Sequence, residues 1–429
     1  MNDRAPFARD ASSTRQQLST PARAANATAE AIDRAVDLLG GRALDEALVE
    51  RHLAPLFSRA LAKRERAYLA NHSLGRPLDF VADDVAEALA AWHDNLGRAW
   101  DAWTAEANAY RSRFAALLNA PGAECIVPKT SAGQGLRAIL NSYDVPPRVL
   151  ATRGEFDSVD TILRQYAARK RASVRWIAAD AQGHFSTDAL VGGVRDGIDL
   201  VVVSNVMFAS GHVLDRVDAL IGEAHASGAR VMLDTYHALG AMPLDIAALD
   251  ADFAIGGSYK YLRGGPGACF LYIHPRHLDG SLSTLDVGWF AKREPYVYEA
   301  DDVPGLAGGA TAFMESTPAV LPFYQARAGQ LFTLAVGVDR LRAYSLSRQR
   351  LLVRALERHG VEAIGGSEDR GAFVVLRRPD APALVSALAR RGIVTDARGG
   401  YLRLGPDLLT TEEELERAAS VIAELSAPS

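Results

Sequence analysis

A set of short, unbroken apolar runs spaced through residues 125–273 constrains this chain most. The runs are Cys125–Val127, Arg148–Thr152, Ser173–Ala178, Leu200–Ser204, Arg230–Leu233, Phe253–Ile255 and Ala268–Ile273. In Leu200-Val201-Val202-Val203 no polar residue alternates with the apolar ones, so a strand built from it must be covered on both faces. Between the runs lie helical patterns, at Thr130–Ser142, Val159–Arg169 and Arg216–Ser227, with apolar residues three and four apart. Strand–helix alternation of this kind predicts an α/β fold with a mostly parallel central sheet.

The flanks read differently. Helix is predicted over 24–57 and over 79–119, the second interrupted near Gly97 and anchored by Trp92, Trp100 and Trp103. After about Pro318 a long helical stretch (Pro318–Tyr344, then Ser347–His359) leads into Ala372–Leu376, a helix at Ala381–Arg391, and Tyr401–Leu404. Thr411 followed three residues later by Glu414 has the spacing of a capping box at the start of a last helix. The expected organisation is an N-terminal helical segment (1–65), a large α/β domain (66–317) and a smaller C-terminal α+β domain (318–429).

Charge and composition narrow the function classes. With 47 basic against 52 acidic side chains the net charge is −5, which argues against a nucleic-acid binder. No apolar run approaches the roughly 18 residues of a membrane span. The stretch Met1–Ala25 is polar and lacks the apolar core of a signal peptide. Two cysteines, Cys125 and Cys269, make neither a disulfide framework nor a zinc set, so a cytoplasmic protein without a bound metal is expected.

Only five of the 47 basic residues are lysines: Lys63, Lys129, Lys170, Lys260 and Lys292. A desolvated lysine can bond covalently to a carbonyl group, which a guanidinium cannot do. Lys63, Lys170 and Lys292 each adjoin arginine and read as solvated charge. Lys260 lies between the end of an apolar run and the glycine-rich stretch Gly264-Gly265-Pro266-Gly267, beside the carboxyl ends of the strands, where open α/β sheets hold ligands. Lys129, just before a helix start, is its one rival. Asp234 ends the run before Lys260; it either caps the next helix or, with that lysine, forms the pair that pyridoxal phosphate requires. Thr130-Ser131-Ala132-Gly133 offers hydroxyls and free amides at a helix N-terminus, as an ordinary cap or as a phosphate cradle. Phe156 is a core residue or a ring-stacker, and His237 a structural histidine, a buttress for Asp234 or a side chain stacked near a ring. Arg403 is a solvated arginine or a bidentate clamp for an α-carboxylate. No strand is followed by Gly-x-Gly-x-x-Gly, which disfavours a nucleotide-binding reading.

Taken in order, these residues resemble the fold-type I, class V pyridoxal-phosphate enzymes, and within them the kynureninase family, over about residues 66–425. The resemblance is carried by Ser258-Tyr259-Lys260-Tyr261-Leu262 with its glycines, by Asn71-His72-Ser73-Leu74-Gly75, by Asp234-Thr235-Tyr236-His237, by Gly288-Trp289-Phe290, and by Ile393 through Arg403. It implies that Lys260 is the lysine that binds the cofactor covalently and that Asp234 partners the pyridine nitrogen. Thr130, Ser131, Ser204, His237 and Tyr259 would then surround ring and phosphate, with Phe156 stacked on the ring. Trp289 would reach the phosphate region of a neighbouring subunit in a homodimer, and Arg403 would hold the α-carboxylate of a small amino-acid substrate. The chain departs from the family at Ala209 (tyrosine there), Val159 (aspartate), Arg263 (asparagine) and Thr317 (asparagine, at a cofactor- and substrate-facing position). The implied reaction is hydrolysis of kynurenine or a modified kynurenine. Transamination, β-elimination and a catalytically altered homologue are the alternatives.

Overall fold

The computed structural model describes residues 20–62, 66–180, 183–298 and 303–426; the polar stretch before residue 20 and Lys63 lie outside the described residues. Its centre is a seven-stranded sheet in the spatial order Ile126–Lys129, Cys269–Ile273, Phe253–Gly257, Arg230–Asp234, Leu200–Ser204, Arg148–Thr152, Ser173–Ile177. Five neighbouring strands run parallel, and Cys269–Ile273 alone is antiparallel to both of its neighbours. The apolar runs therefore became strands, and their uniform hydrophobicity has the anticipated cause. Val201 and Val203 pack into a layer with Phe114, Leu220 and Phe270, whereas Leu200 and Val202 pack into the opposite layer with Leu136, Leu163 and Met232. Each such fully buried aliphatic side chain contributes about 1.5–3 kcal/mol.

A second, three-stranded antiparallel sheet (Asp396–Arg398, Tyr401–Leu404, Val374–Arg377) is backed by helices that include Val338–Arg358 and Glu412–Ser426. The last helix has the expected capping box: Thr411 N donates to Glu414 Oε2 (2.9 Å) and Glu414 N to Thr411 Oγ1 (3.2 Å). A short strand, Ala67–Tyr68, pairs in parallel with Ile393–Val394, which ties the beginning of the α/β region to this smaller unit.

Two expectations are corrected. The long helix after Pro318 breaks at Gly337, whose φ of +90° no L side chain adopts easily, and not near Tyr344; Leu321–Val336 and Val338–Arg358 result. Leu321–Val336 packs on Val81–Asn95 and Ala99–Leu118 of the large unit. The single helix expected over 24–57 stops at Leu39, before Gly40-Gly41, and residues 46–61 form short α, π and 3₁₀ turns.

Buried Arg327 joins these helices. Its guanidinium meets Asp84 (3.1 Å), Glu87 (2.6 Å) and Glu106 (2.7 Å), a network that must be satisfied because none of its members is exposed.

Candidate active site

Lys129, Thr152, Ser204, Asp234 and Gly257 end their strands at the same end of the sheet, and a cavity of about 550 Å³ lies there. Thr130, Ser131, Gly133, Arg137, Phe156, Tyr236, Tyr259 and Cys269 are among its lining residues.

Lys260 sits against these aromatic walls and is only 5% exposed. Its Nζ lies 4.8, 5.5 and 5.7 Å from the ring centres of Tyr236, Phe156 and Tyr259, and shares a 2.8 Å hydrogen bond with His237 Nε2. Burial pushes the Lys260 ammonium down to about 7, with Asp234 pulling the other way and Arg403 adding to the drop. The loop is held from below: Gly75 N donates to the Tyr259 carbonyl (2.8 Å), and a Cβ on Gly75 would stand 2.0 Å from the Lys260 carbonyl oxygen. The rival, Lys129, is committed elsewhere, to Glu315 (2.9 Å) and the Phe313 carbonyl (3.0 Å).

Asp234 Oδ1 accepts from Tyr236 N (2.9 Å). Burial pushes its carboxyl up, against the Tyr236 amide and the Lys260 charge, so the site favours a further cation beside it. Burial, then Lys260 and Arg403, hold the His237 imidazole well below its ordinary value, so it is neutral. Its Nδ1, together with Asn205 Oδ1 and Ser258 Oγ, is buried without a hydrogen-bond partner.

At the other end of the cavity, Ser131 caps the helix Ala132–Leu140: its Oγ accepts from Gln134 N (3.1 Å), while Thr130 N donates to Gln134 Oε1 (2.8 Å). The first amides of this helix have no partner within it, and Arg137 adds a positive charge. Ser204 does not line the cavity. Its hydroxyl donates to Glu155 Oε2 (2.6 Å), and Thr152 donates to the other oxygen (2.6 Å). Burial pushes the Glu155 carboxyl up to about 7, opposed by those two hydroxyls and supported by Asp234. Sequence reasoning missed Glu155, although it directly precedes Phe156 after a strand end and falls under the rule that singled out Asp234.

Trp289 and Thr317 lie on the rim, with Trp289 Nε1 donating to Thr317 Oγ1 (3.2 Å). Thr317 lines a neighbouring cavity of about 260 Å³ that shares Thr130 and Gly267 with the first. Arg403 is buried, 5.0 Å from the centre of the Phe208 ring, which itself packs 5.3 Å from Phe156. Val159 is fully buried among apolar side chains, so no carboxylate occupies that position. Thus Thr130, Ser131, Phe156, Asp234, His237, Tyr259 and Lys260 come together, Ser204 stands behind them through Glu155, and Trp289 and Thr317 stay at the rim.

This donor set fits pyridoxal phosphate. Hydroxyls, helix amides and Arg137 suit a phosphate, aromatic side chains suit a flat ring, a buried carboxyl suits a pyridinium, and a buried amine that gives up its proton near neutral pH suits an aldehyde. His237 Nδ1, buried and unpaired on the ring whose Nε2 holds Lys260 Nζ, leaves a polar atom free for a polar occupant.

Residues 78–401 match the family model described as aminotransferase class-V. The kynureninase of Deinococcus radiodurans is 30% identical over 383 residues, covering 84% of this chain and 91% of that protein. The kynureninase of Pseudomonas fluorescens is 27% identical, covering 87% and 92%. Among solved structures, a cysteine desulfurase from Thermococcus onnurineus NA1 superposes with a TM-score of 0.76 at 18% identity, covering 86% of this chain and 97% of that one, a likeness of fold. Sheet order, buried lysine and family match agree, and the chain belongs to the class-V aminotransferase family of pyridoxal-phosphate-dependent enzymes, with a fold-type I architecture.

Proposed function

We propose that this enzyme hydrolyses the Cβ–Cγ bond of kynurenine or a ring-modified kynurenine, giving an anthranilate and alanine. The observation that carries the reading is Lys260, a buried amine near its neutral form beside His237 and Asp234, in a chain that parallels kynureninases over most of its length. Bound pyridoxal phosphate supplies an electron-accepting ring. Lys260 holds the cofactor and then, as a free amine, takes the Cα proton of the substrate; burial makes it basic enough for that task without being fully protonated near neutral pH. His237 orients Nζ. Asp234 would face the pyridine nitrogen and favour its protonated form, Phe156 would pack on the ring, and Thr130, Ser131 and Arg137 would hold the phosphate. Arg403 takes the α-carboxylate. In this reading the large domain (66–317) holds the cofactor and the smaller one (318–429) supplies Arg403, with its first helix, Leu321–Val336, packed on the large domain.

A homodimer is part of the proposal. Leu285, Val287, Tyr296, Val297, Tyr298 and Val303, all near Trp289 in sequence, are large apolar residues left exposed, and Tyr296 packs on the Trp289 ring, a concentration that suits pairing with a second copy. No helix among the described residues is long and apolar enough to cross a membrane, and both cysteines are free, which favours the cytoplasm.

The test is the purified holoenzyme with L-kynurenine and 3-hydroxykynurenine. Equal amounts of alanine and the matching anthranilate are expected; no product from either compound defeats the proposal. The lack of a hydroxyl at Ala209 and of a carboxylate at Val159 favours a second reading, transamination or β-elimination, whose mark is a keto acid instead of an anthranilate.

A further inference from the structure

Arg403 does not stand free in the cleft. Asp396 is its cross-strand partner, directly opposite in register, so the two side chains lie on the same face of the small sheet. Asp396 Oδ1 accepts from Arg403 Nε (2.8 Å) and Oδ2 from Arg403 Nη2, a side-on fork. Arg403 Nη1 donates to the Phe208 carbonyl (2.6 Å), and the guanidinium lies 5.0 and 5.6 Å from the Phe208 and Phe373 ring centres. Of the five N–H donors of a guanidinium, two remain, one on each terminal nitrogen, the pair that can meet a second carboxylate.

Asp396 is itself held. His72 Nε2 donates to the same Oδ1 (2.8 Å), and the His72 ring is completely buried and packed 4.8 Å from Phe373. Burial pushes His72 down to about 4, so it is a neutral donor at physiological pH. Burial alone would raise the Asp396 carboxyl, but the hydrogen bonds from His72 and Arg403 outweigh it and keep Asp396 ionised. The three residues come from two chain segments joined by strand pairing, because the Ala67–Tyr68 strand that leads to His72 lies against Ile393–Val394. Phe208, from the loop after Leu200–Ser204, supplies the fourth contact.

We infer that Asp396 and His72 are positioning residues that set the plane of Arg403, so that its two free N–H groups face the α-carboxylate of the substrate. The inference rests on the proposed role of Arg403 as that clamp. Asp396 fixes the guanidinium edge, and His72 fixes the Asp396 carboxylate. Neither residue touches the reacting atoms.

The experiment is carried out on holoenzyme, following the cofactor absorbance on titration with L-alanine and, in parallel, with L-alaninamide, which lacks the carboxylate. In Asp396→Asn the fork is broken, and the Kd for L-alanine rises by about tenfold, as removal of an outer-shell partner typically does. The Kd for L-alaninamide and the affinity for the cofactor stay within twofold. Asp396→Glu keeps the charge and recovers part of the loss, and His72→Phe, which keeps the ring packing but removes the donor, gives a smaller loss in the same direction. L-Alanine binding as tight as wild type or tighter in a folded Asp396→Asn protein overturns the inference, since Asp396 would then compete for Arg403 instead of presenting it. Arg403→Gln separates the two layers: if that variant still prefers L-alanine to L-alaninamide, the clamp reading itself fails.

Discussion

Replacing Glu155 by Gln should change how stability depends on pH, by an amount the structure allows to be worked out. Gln keeps both contacts, accepting from one of the Thr152 and Ser204 hydroxyls and donating to the other, but removes the titration. In the folded protein the Glu155 carboxyl is raised from 4.5 to about 7, chiefly by burial. At about 1.36 kcal/mol per pH unit this corresponds to roughly 3 kcal/mol. The sign follows from the protons. Between pH 4.5 and 7 the folded wild-type protein keeps a proton that the unfolded chain has released, so stability falls as pH rises through that window and the loss is complete above it. Groups common to both proteins cancel in the comparison. Urea unfolding of cofactor-free wild type and Glu155→Gln at pH 5 and pH 8 should therefore show the variant gaining about 2.5 kcal/mol on wild type from the lower to the higher pH, the rest of the shift falling below pH 5. A stability difference that stays the same at both pH values would refute the reasoning, because Glu155 would then ionise as easily in the fold as outside it.

Three further outcomes are expected. Gly75→Ala places a Cβ against the Lys260 carbonyl and so displaces the lysine loop; the protein should fold with unchanged circular dichroism but bind pyridoxal phosphate at least tenfold more weakly, as measured by equilibrium dialysis, and wild-type affinity would contradict it. The neutral amine is the nucleophile toward the cofactor, so the rate of reconstitution, followed by visible absorbance, should rise with pH and level off above an inflection near 7; an inflection near that of a solvated lysine would show that burial does not act on Lys260. Arg327→Leu strands Asp84, Glu87 and Glu106 in the interior and should cost about 3–5 kcal/mol in urea unfolding at pH 8, and less at pH 5, where Asp84, raised to about 6 by burial, takes up a proton; a cost below about 1 kcal/mol would mean that the network is not the buried one described.

The parts of the fold that could be read from sequence are those in which one local pattern determines the outcome. Leu200-Val201-Val202-Val203 admits hardly anything but a strand covered on both faces, and Thr411 with Glu414 announces its own helix start. The break at Gly337 was not legible, because a single glycine in a long apolar pattern shows its φ of +90° only when both helices have packed. In the site, Lys260 and Asp234 were identifiable because each ends or follows an apolar run. Glu155 and the His72–Asp396 pair were not. Their significance comes from contacts across 49 and 324 residues of sequence, to Ser204 and between each other, which no spacing rule reports. Trp289 is a different case: its proposed partner lies on a second subunit, and within one chain it meets Thr317 at the rim.

The most direct test of the account is to reconstitute the protein with pyridoxal phosphate, fix the cofactor to its lysine with borohydride, digest, and identify the modified peptide by mass. The account predicts one modified residue, Lys260, with the label absent from Lys260→Ala. Labelling at Lys129 or at any other lysine, or no labelling of wild type, would contradict it.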